Sequence, residues 1–274
     1  MRPTVPFDRS AQEQFRSQGF VRLGVLLSTG ELAALQTRLD DIMRGRVRYE
    51  NMRFQLDPGI VAEGEQATSN HHVASTLAYR RIDDLEQDPL FLRYMQHELF
   101  REITRKLVGE QVSVFRSMFM NKAAQLGTPL RWHQDVGVGW RIDCNPTVTV
   151  WTALDDSTPA NGCVRIVPGS HQHGVINAGH WLDDEQIAHY APTARVIDLV
   201  AEAGEAILLH NFLVHSSGVN GTNAPRRAFS TTYMDAVTRS VVTGETFPIV
   251  FGSGALNPAA AGSKPAARIR VSHG

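Results

Sequence analysis

With 274 residues, 42% of them hydrophobic and 20% charged, the chain has the make-up of an ordinary folded protein and the length to bury a large core. Its 27 basic and 28 acidic side chains leave a formal net charge of −1, so no overall positive field exists to draw nucleic acid or an anionic membrane, and neither is expected as a partner. No apolar run approaches the ~18 residues of a spanning helix, and two cysteines are too few for a disulfide framework or a cysteine-based zinc site.

The opening MRPTVPFDRS lacks the apolar stretch of a secretion signal, and the final Val-Ser-His-Gly is not a peroxisomal Ser-Lys-Leu address, so a cytoplasmic protein is expected. Residues 7 to 19 predict a short helix, followed by an extended Phe20-Val21-Arg22-Leu23. Ser28 and Glu31 form a capping-box pattern, behind which Leu32, Leu35, Leu39 and Ile42 recur at helical spacing as far as Arg44. Residues 50 to 75 are polar and aperiodic and predict a mobile loop, a candidate lid whose Arg53, His71 and His72 would meet a polar or anionic ligand. One helical pattern then runs from about 89 to 108 and stops at Gly109.

From Val112 the character changes to short apolar or alternating runs at 112–121, 147–154, 163–167, 195–199, 206–210 and 229–235, separated by Gly, Pro, Asn and Asp. Such runs predict a jelly-roll sandwich or barrel. Cys144 and Cys163 flank them and are expected to be small buried residues, and the Gly-, Ala- and Pro-rich stretch 252–274 is expected to be loosely held. The expected organisation is one domain over 1–274, mainly helical to about residue 110, with a jelly-roll core over about 111–250.

The chemistry centres on Trp132-His133-Gln134-Asp135. In an extended chain His133 and Asp135 share a face while Gln134 points away, so an imidazole and a carboxylate supply two corners of a metal site. His133 is the only one of eleven histidines followed two residues later by Asp or Glu. Alone, this pattern equally describes a buried histidine bonded to an aspartate. His215, 82 residues on (215 − 133), lies on a separate predicted strand and could complete two nitrogens and one carboxylate. That set leaves positions open for a co-substrate and O2 at a non-haem iron. Arg226, eleven residues further (226 − 215), offers a fork for a dicarboxylate, although Arg226-Arg227 also reads as a surface pair. Ser217, two residues past His215, can add a hydroxyl donor.

Several ordered motifs resemble the phytanoyl-CoA dioxygenase family. They are Met120-Asn121-Lys122 leading to Trp132-His133-Gln134-Asp135, then Trp151-Thr152-Ala153-Leu154-Asp155, then Asn161-Gly162-Cys163 through Val167-Pro168-Gly169-Ser170-His171, and finally His215-Ser216-Ser217-Gly218 with Arg226. The resemblance spans roughly residues 79 to 235. It implies a mainly β double-stranded β-helix of the cupin-like kind, with Fe(II) held by His133, Asp135 and His215. It also implies 2-oxoglutarate on Arg226 and Ser217, and O2 as oxidant, with ascorbate as a reductant in use. Arg81 falls where family members place a lysine near 2-oxoglutarate, and Met118 and Trp151 match residues that line the co-substrate pocket. His71, His72, His171, His173 and His210 are expected to be structural or substrate-facing.

The implied reaction is oxidation, foremost hydroxylation, of an unactivated C–H bond of a small-molecule substrate, with release of succinate and CO2. Asp135 is present, whereas related halogenating enzymes replace the carboxylate ligand, so an oxidation other than halogenation is favoured. Three other readings stand beside it. An acyl-CoA hydroxylase would need a cationic trough such as Arg44, Arg46 and Arg48. A non-catalytic cupin-like binding protein would keep the shape without turnover. A zinc hydrolase would use the same two histidines and aspartate.

Overall fold

The computed structural model describes residues 6–50, 52–61 and 67–261; the tail from residue 262 onward lies outside them. Five helices are present among these residues: α1 (Arg9–Gln18), α2 (Thr29–Met43), α3 (Pro89–Met95), α4 (Glu98–Leu107) and α5 (Asp184–Tyr190). The strands in chain order are β1 (Phe20–Val25), β2 (Arg53–Leu56), β3 (Thr68–Ser69), β4 (Tyr79–Asp83), β5 (Val112–Lys122), β6 (Leu130–His133) and β7 (Val148–Ala153). They continue with β8 (Val164–Ile166), β9 (Ile197–Leu199), β10 (Glu205–Leu209), β11 (His215–Ser217), β12 (Arg226–Asp235) and β13 (Ile249–Phe251). A nine-stranded sheet runs β1-β10-β7-β12-β5-β4-β2-β3, with β13 also on β5, and a four-stranded sheet runs β6-β11-β8-β9. The mainly β jelly roll expected from the short runs is what forms.

Helices cover the outer face of the larger sheet. Strand β7 is buried along its whole length and carries apolar side chains on both faces: Val148 and Val150 pack outward with Phe91, Phe100 and Leu39, while Thr149, Trp151 and Ala153 face the smaller sheet. The buried rings of Phe91 and Phe229 meet edge-on at 4.9 Å across this layer. Each such side chain stabilises the fold by about 1.5–3 kcal/mol through burial. The inward faces of both sheets enclose a cavity of about 680 Å³.

The expected capping box closes the start of α2: Ser28 accepts from the Glu31 amide and Glu31 accepts from the Ser28 amide at 2.9 Å. The pattern at 89–108 makes two helices instead of one. His97 accepts from the Leu99 amide through Nδ1 at 3.1 Å and so caps α4, while Gln96 Nε2 donates to Val250 O at 3.0 Å and Leu256 O at 2.8 Å. The N-terminal part is less helical than its periodicity predicts, because β1 to β4 all join the larger sheet. The segment 50–75 is also not a plain loop. Strand β2 pairs with both β4 and β3, extending the sheet, although residues 51 and 62–66 lie outside the described residues. No helix among the described residues is long and apolar enough to cross a membrane.

Candidate functional site

His133 ends β6, and its register partner His215 begins β11, which brings the two rings to 4.0 Å between centroids. Asp135 follows β6, its amide donating to Asn211 O at 2.8 Å, with Asn211 in turn bonded by Thr149 at 3.1 Å. One ligand atom from each of His133, Asp135 and His215 lies within 4.8 Å of the others. The Nε2 of His133 is 3.9 Å, and that of His215 3.6 Å, from the Asp135 carboxylate. Each histidine meets the carbonyl two residues upstream through Nδ1, His133 to Arg131 O at 2.7 Å and His215 to Leu213 O at 2.9 Å. A carbonyl only accepts, so Nδ1 carries the proton and both Nε2 lone pairs are left for a metal.

The electrostatics suit the same role. Burial, with His215 beside it, pushes the His133 imidazole well below its ordinary value and keeps it neutral. Burial opposes ionisation of Asp135, but His215, His133 and Arg116 outweigh it and hold the carboxyl below the usual carboxylate range. Two imidazoles, each with Nδ1 tied to a backbone carbonyl, and one carboxylate gathered at one wall of a cavity fit a divalent non-haem iron and leave its other sides open. Gln134 alternates to the opposite side, where Nε2 donates to Gly174 O at 2.8 Å and Phe212 O at 2.7 Å, and Oε1 accepts from Ile176 N at 2.8 Å.

Arg226 and Arg227, which read alike in the sequence, separate by strand alternation. Arg227 grips Asp155 through two bonds of 2.9 Å and reaches Asp40 at 3.1 Å. Arg226 is buried on the cavity, where burial pushes its guanidinium down to about 10, so it stays charged at neutral pH. One of its nitrogens donates to Gly162 O at 3.1 Å, while Nε is buried with no partner among the described residues. Gly162 sits at φ 75°, and a Cβ there would come within 2.6 Å of Gly218 O, which explains a glycine before Cys163. Ser217, Trp151 and Met118 line the same cavity, and the Trp151 Nε1 is likewise without a partner.

Lys122 stood in the sequence only as part of the Met120-Asn121-Lys122 motif, with no site role. It pairs in register with Arg226, lines the cavity, and donates to Thr128 O at 2.6 Å. Burial first, then Arg226 and Arg80, push its ammonium down to about 7. Arg81 also lines the cavity, but it is paired with Asp83 at 2.8 Å. Arg116, unmarked in the sequence, lines the cavity near Asp135.

The remaining histidines divide. His72 is held by Met43 O at 2.9 Å and packs against Phe54, and neither it nor His71 lines the cavity, whereas Arg53 does. His171 bonds Arg16 O at 3.0 Å and packs at a tilt against His210, which also contacts Phe15 of α1. His210 reaches the cavity wall and His173 does not. His180, unmarked in the sequence, lines the cavity 4.8 Å from the His133 ring and adopts φ 80°. Arg44, Arg46 and Arg48 lie off the cavity, Arg46 paired with Asp41 at 3.2 Å and Arg48 with Gly45 O at 3.0 Å. Cys163 is buried as expected, but Cys144 is exposed, because it sits in a turn-rich stretch before β7.

Known proteins share this fold and parts of this sequence. Apo EctD from S. alaskensis superimposes with a TM-score of 0.66 at 22% identity, covering 86% of this chain and 80% of that one. The apo non-heme monooxygenase ThoJ gives 0.66 at 23%, covering 89% and 84%. These likenesses are of fold. In sequence, the peroxisomal phytanoyl-CoA dioxygenase of Rattus norvegicus is 25% identical over 236 residues, 80% of this chain and 66% of the rat protein. The Mus musculus protein is 28% identical over 211 residues, 70% of this chain and 60% of its own length, and the Arabidopsis thaliana phytanoyl-CoA dioxygenase is 28% identical over 240 residues, 79% and 84%. The chain thus spans slightly less than two thirds of the rat and mouse relatives. The sequence model of phytanoyl-CoA dioxygenase (PhyH) matches residues 15–228, and the chain belongs to that family of Fe(II)- and 2-oxoglutarate-dependent oxygenases.

Proposed function

We propose that the protein hydroxylates an unactivated C–H bond of a small-molecule metabolite, with His133, Asp135 and His215 as iron ligands. The observation that carries this reading is the convergence of three ligand atoms within 4.8 Å on a cavity that also contains the buried, incompletely bonded Arg226. When bound, iron with 2-oxoglutarate and O2 supplies the oxidising power for C–H cleavage, and succinate and CO2 leave. The protein orients and shields. His133 and His215 present Nε2 because their Nδ1 protons are tied to backbone carbonyls. Arg226 takes the far carboxylate of 2-oxoglutarate, with Ser217 as hydroxyl donor and Lys122 as a second cation. Met118 and Trp151 form walls that keep water from the co-substrate.

Arg81 has a lesser part in co-substrate binding here, since Asp83 already occupies its guanidinium. A hydrolase with zinc on the same ligands would leave a buried arginine in the cavity without a task. An acyl-CoA trough from Arg44, Arg46 and Arg48 has no support in where those residues lie. Incubating the protein with Fe(II), 2-oxoglutarate, ascorbate and a metabolite panel tests the proposal through succinate release. Substrate-stimulated succinate formation that needs Fe(II) is expected; none with any panel member, together with no uncoupled succinate, would contradict it.

A further inference from the structure

The inward face of β5 presents Arg116, Met118, Met120 and Lys122 to the cavity in turn. Lys122 belongs with Arg226 at one end. Arg116 stands six residues away, about 20 Å along the strand at a rise of ~3.3 Å per residue. Its guanidinium carbon lies 3.9 Å from the ring centre of buried Trp140 and 5.3 Å from that of Phe115. Among the described residues it makes no hydrogen bond or ion pair. The charged groups around it are Arg81, Asp135, Asp83 and Arg53. Asp83 is engaged by Arg81 at 2.8 Å, and Asp135 belongs to the metal triad. Stacking fixes the plane of the guanidinium while leaving its edge donors free, which is how arginine is arranged to receive an oxyanion.

The rest of the cavity points the same way. Besides Lys122 and Arg226 it is lined by Arg53, Arg80, Arg81, Arg116 and Arg141, against only two carboxylates, Asp83 and Asp135. A divalent ion and the 2-oxoglutarate dianion cancel, so the loaded cavity keeps its positive excess. Closely spaced cations repel unless an anion joins them.

We propose that the prime substrate is a small organic oxyanion, a carboxylate or a phosphate or phosphonate, whose anionic group binds Arg116 with Arg53 alongside, away from the Arg226 end. The inference rests on the oxygenase reading above. It assigns a substrate class and gives Arg116 a binding role separate from that of 2-oxoglutarate.

Anaerobic protein carrying Fe(II) and 2-oxoglutarate provides the test, because the charge-transfer absorption of that chelate reports both events. Hexanoate, hexylphosphonate and hexanamide are titrated as matched probes into wild type, Arg116→Met and Arg116→Lys. In wild type at least one anion should bind and perturb the band with 2-oxoglutarate still in place, more tightly than the amide. The carboxylate and phosphonate arms show which head group the site prefers. Arg116→Met should weaken the anion about 10- to 100-fold, as loss of a charge-assisted contact does. Arg116→Lys should fall between, and the loss should fall on the anion and not on 2-oxoglutarate. Equal binding of anion and amide, no binding of either anion, displacement of 2-oxoglutarate by the anion, or an unchanged preference in Arg116→Met would each overturn the proposal. Absence of the band itself in wild type would instead overturn the oxygenase reading and this inference with it.

Discussion

Lys122 and Arg226 face each other in register across β5 and β12, so both side chains leave the sheet on the cavity side, where Arg226 lacks a partner for Nε. Two cations placed together in a buried wall suit the dianion proposed to bind there. Arg226→Ala should weaken 2-oxoglutarate binding about 10- to 150-fold, from loss of roughly 1.5–3 kcal/mol of charge-assisted bonding. Iron content should stay near wild type. Calorimetric titration with 2-oxoglutarate checks this, and equal affinity in the two proteins would remove the assignment.

The Lys122 ammonium, pushed down to about 7, gives the same binding a pH signature. Below that value the side chain is charged and attracts the dianion; above it the free protein must first take up a proton. Affinity for 2-oxoglutarate should therefore fall as pH rises from 7 toward 9, while Arg226, at about 10, stays charged across that range. Lys122→Met should bind more weakly and lose this slope. The sign reverses for stability of the ligand-free protein. The folded value lies below the ordinary 10.5, so between the two the unfolded chain holds more protons at this site, and the contribution of Lys122 to stability rises with pH. A wild-type slope identical to that of Lys122→Met would place the titration elsewhere.

The difference between these residues and the proposed iron ligands explains what could be read from the chain alone. His133 and Asp135 are two residues apart on an extended segment, so a local rule of alternation relates them. His215 and Arg226 depended on ordered motifs, and strand alternation then separated Arg226 from Arg227. Lys122 and Arg116 carry no local signal: one acquires its place from a register partner 104 residues away (226 − 122), the other from a ring at Trp140 on a separate turn. The six runs became strands with ends shifted by a few residues. The break at Gln96 and His97 was hidden, since histidine is an uncommon helix cap and the tertiary partners of Gln96 lie near 250. Segment 50–75 was misread as a loop because its strands β2 and β3 are short, mostly polar and end the sheet.

Gln134 lies between the two ligands yet serves the scaffold, joining the strand that carries them to Gly174, Ile176 and Phe212. Gln134→Ala leaves three partly buried backbone groups without their partner and should cost on the order of 1–3 kcal/mol of stability. The thermal midpoint should drop by several degrees, and iron retention should weaken less than in the ligand variants. An unchanged melting curve would show that these bonds are replaced by water without loss.

Tyr94 tests the outer layer independently of the site, as its hydroxyl bonds Thr152 at 2.8 Å between α3 and β7. Tyr94→Phe should destabilise by about 0.5–1.5 kcal/mol and leave 2-oxoglutarate affinity unchanged. A loss of co-substrate binding equal to that of Arg226→Ala would mean that this layer controls the cavity.

The assignment of His133, Asp135 and His215 as metal ligands is tested most directly by iron analysis of anaerobically reconstituted protein. Wild type should retain Fe(II) in stoichiometric amount after removal of free metal, and His133→Ala, Asp135→Ala and His215→Ala should each lose most of it while remaining folded. Full iron retention by all three variants would contradict the assignment.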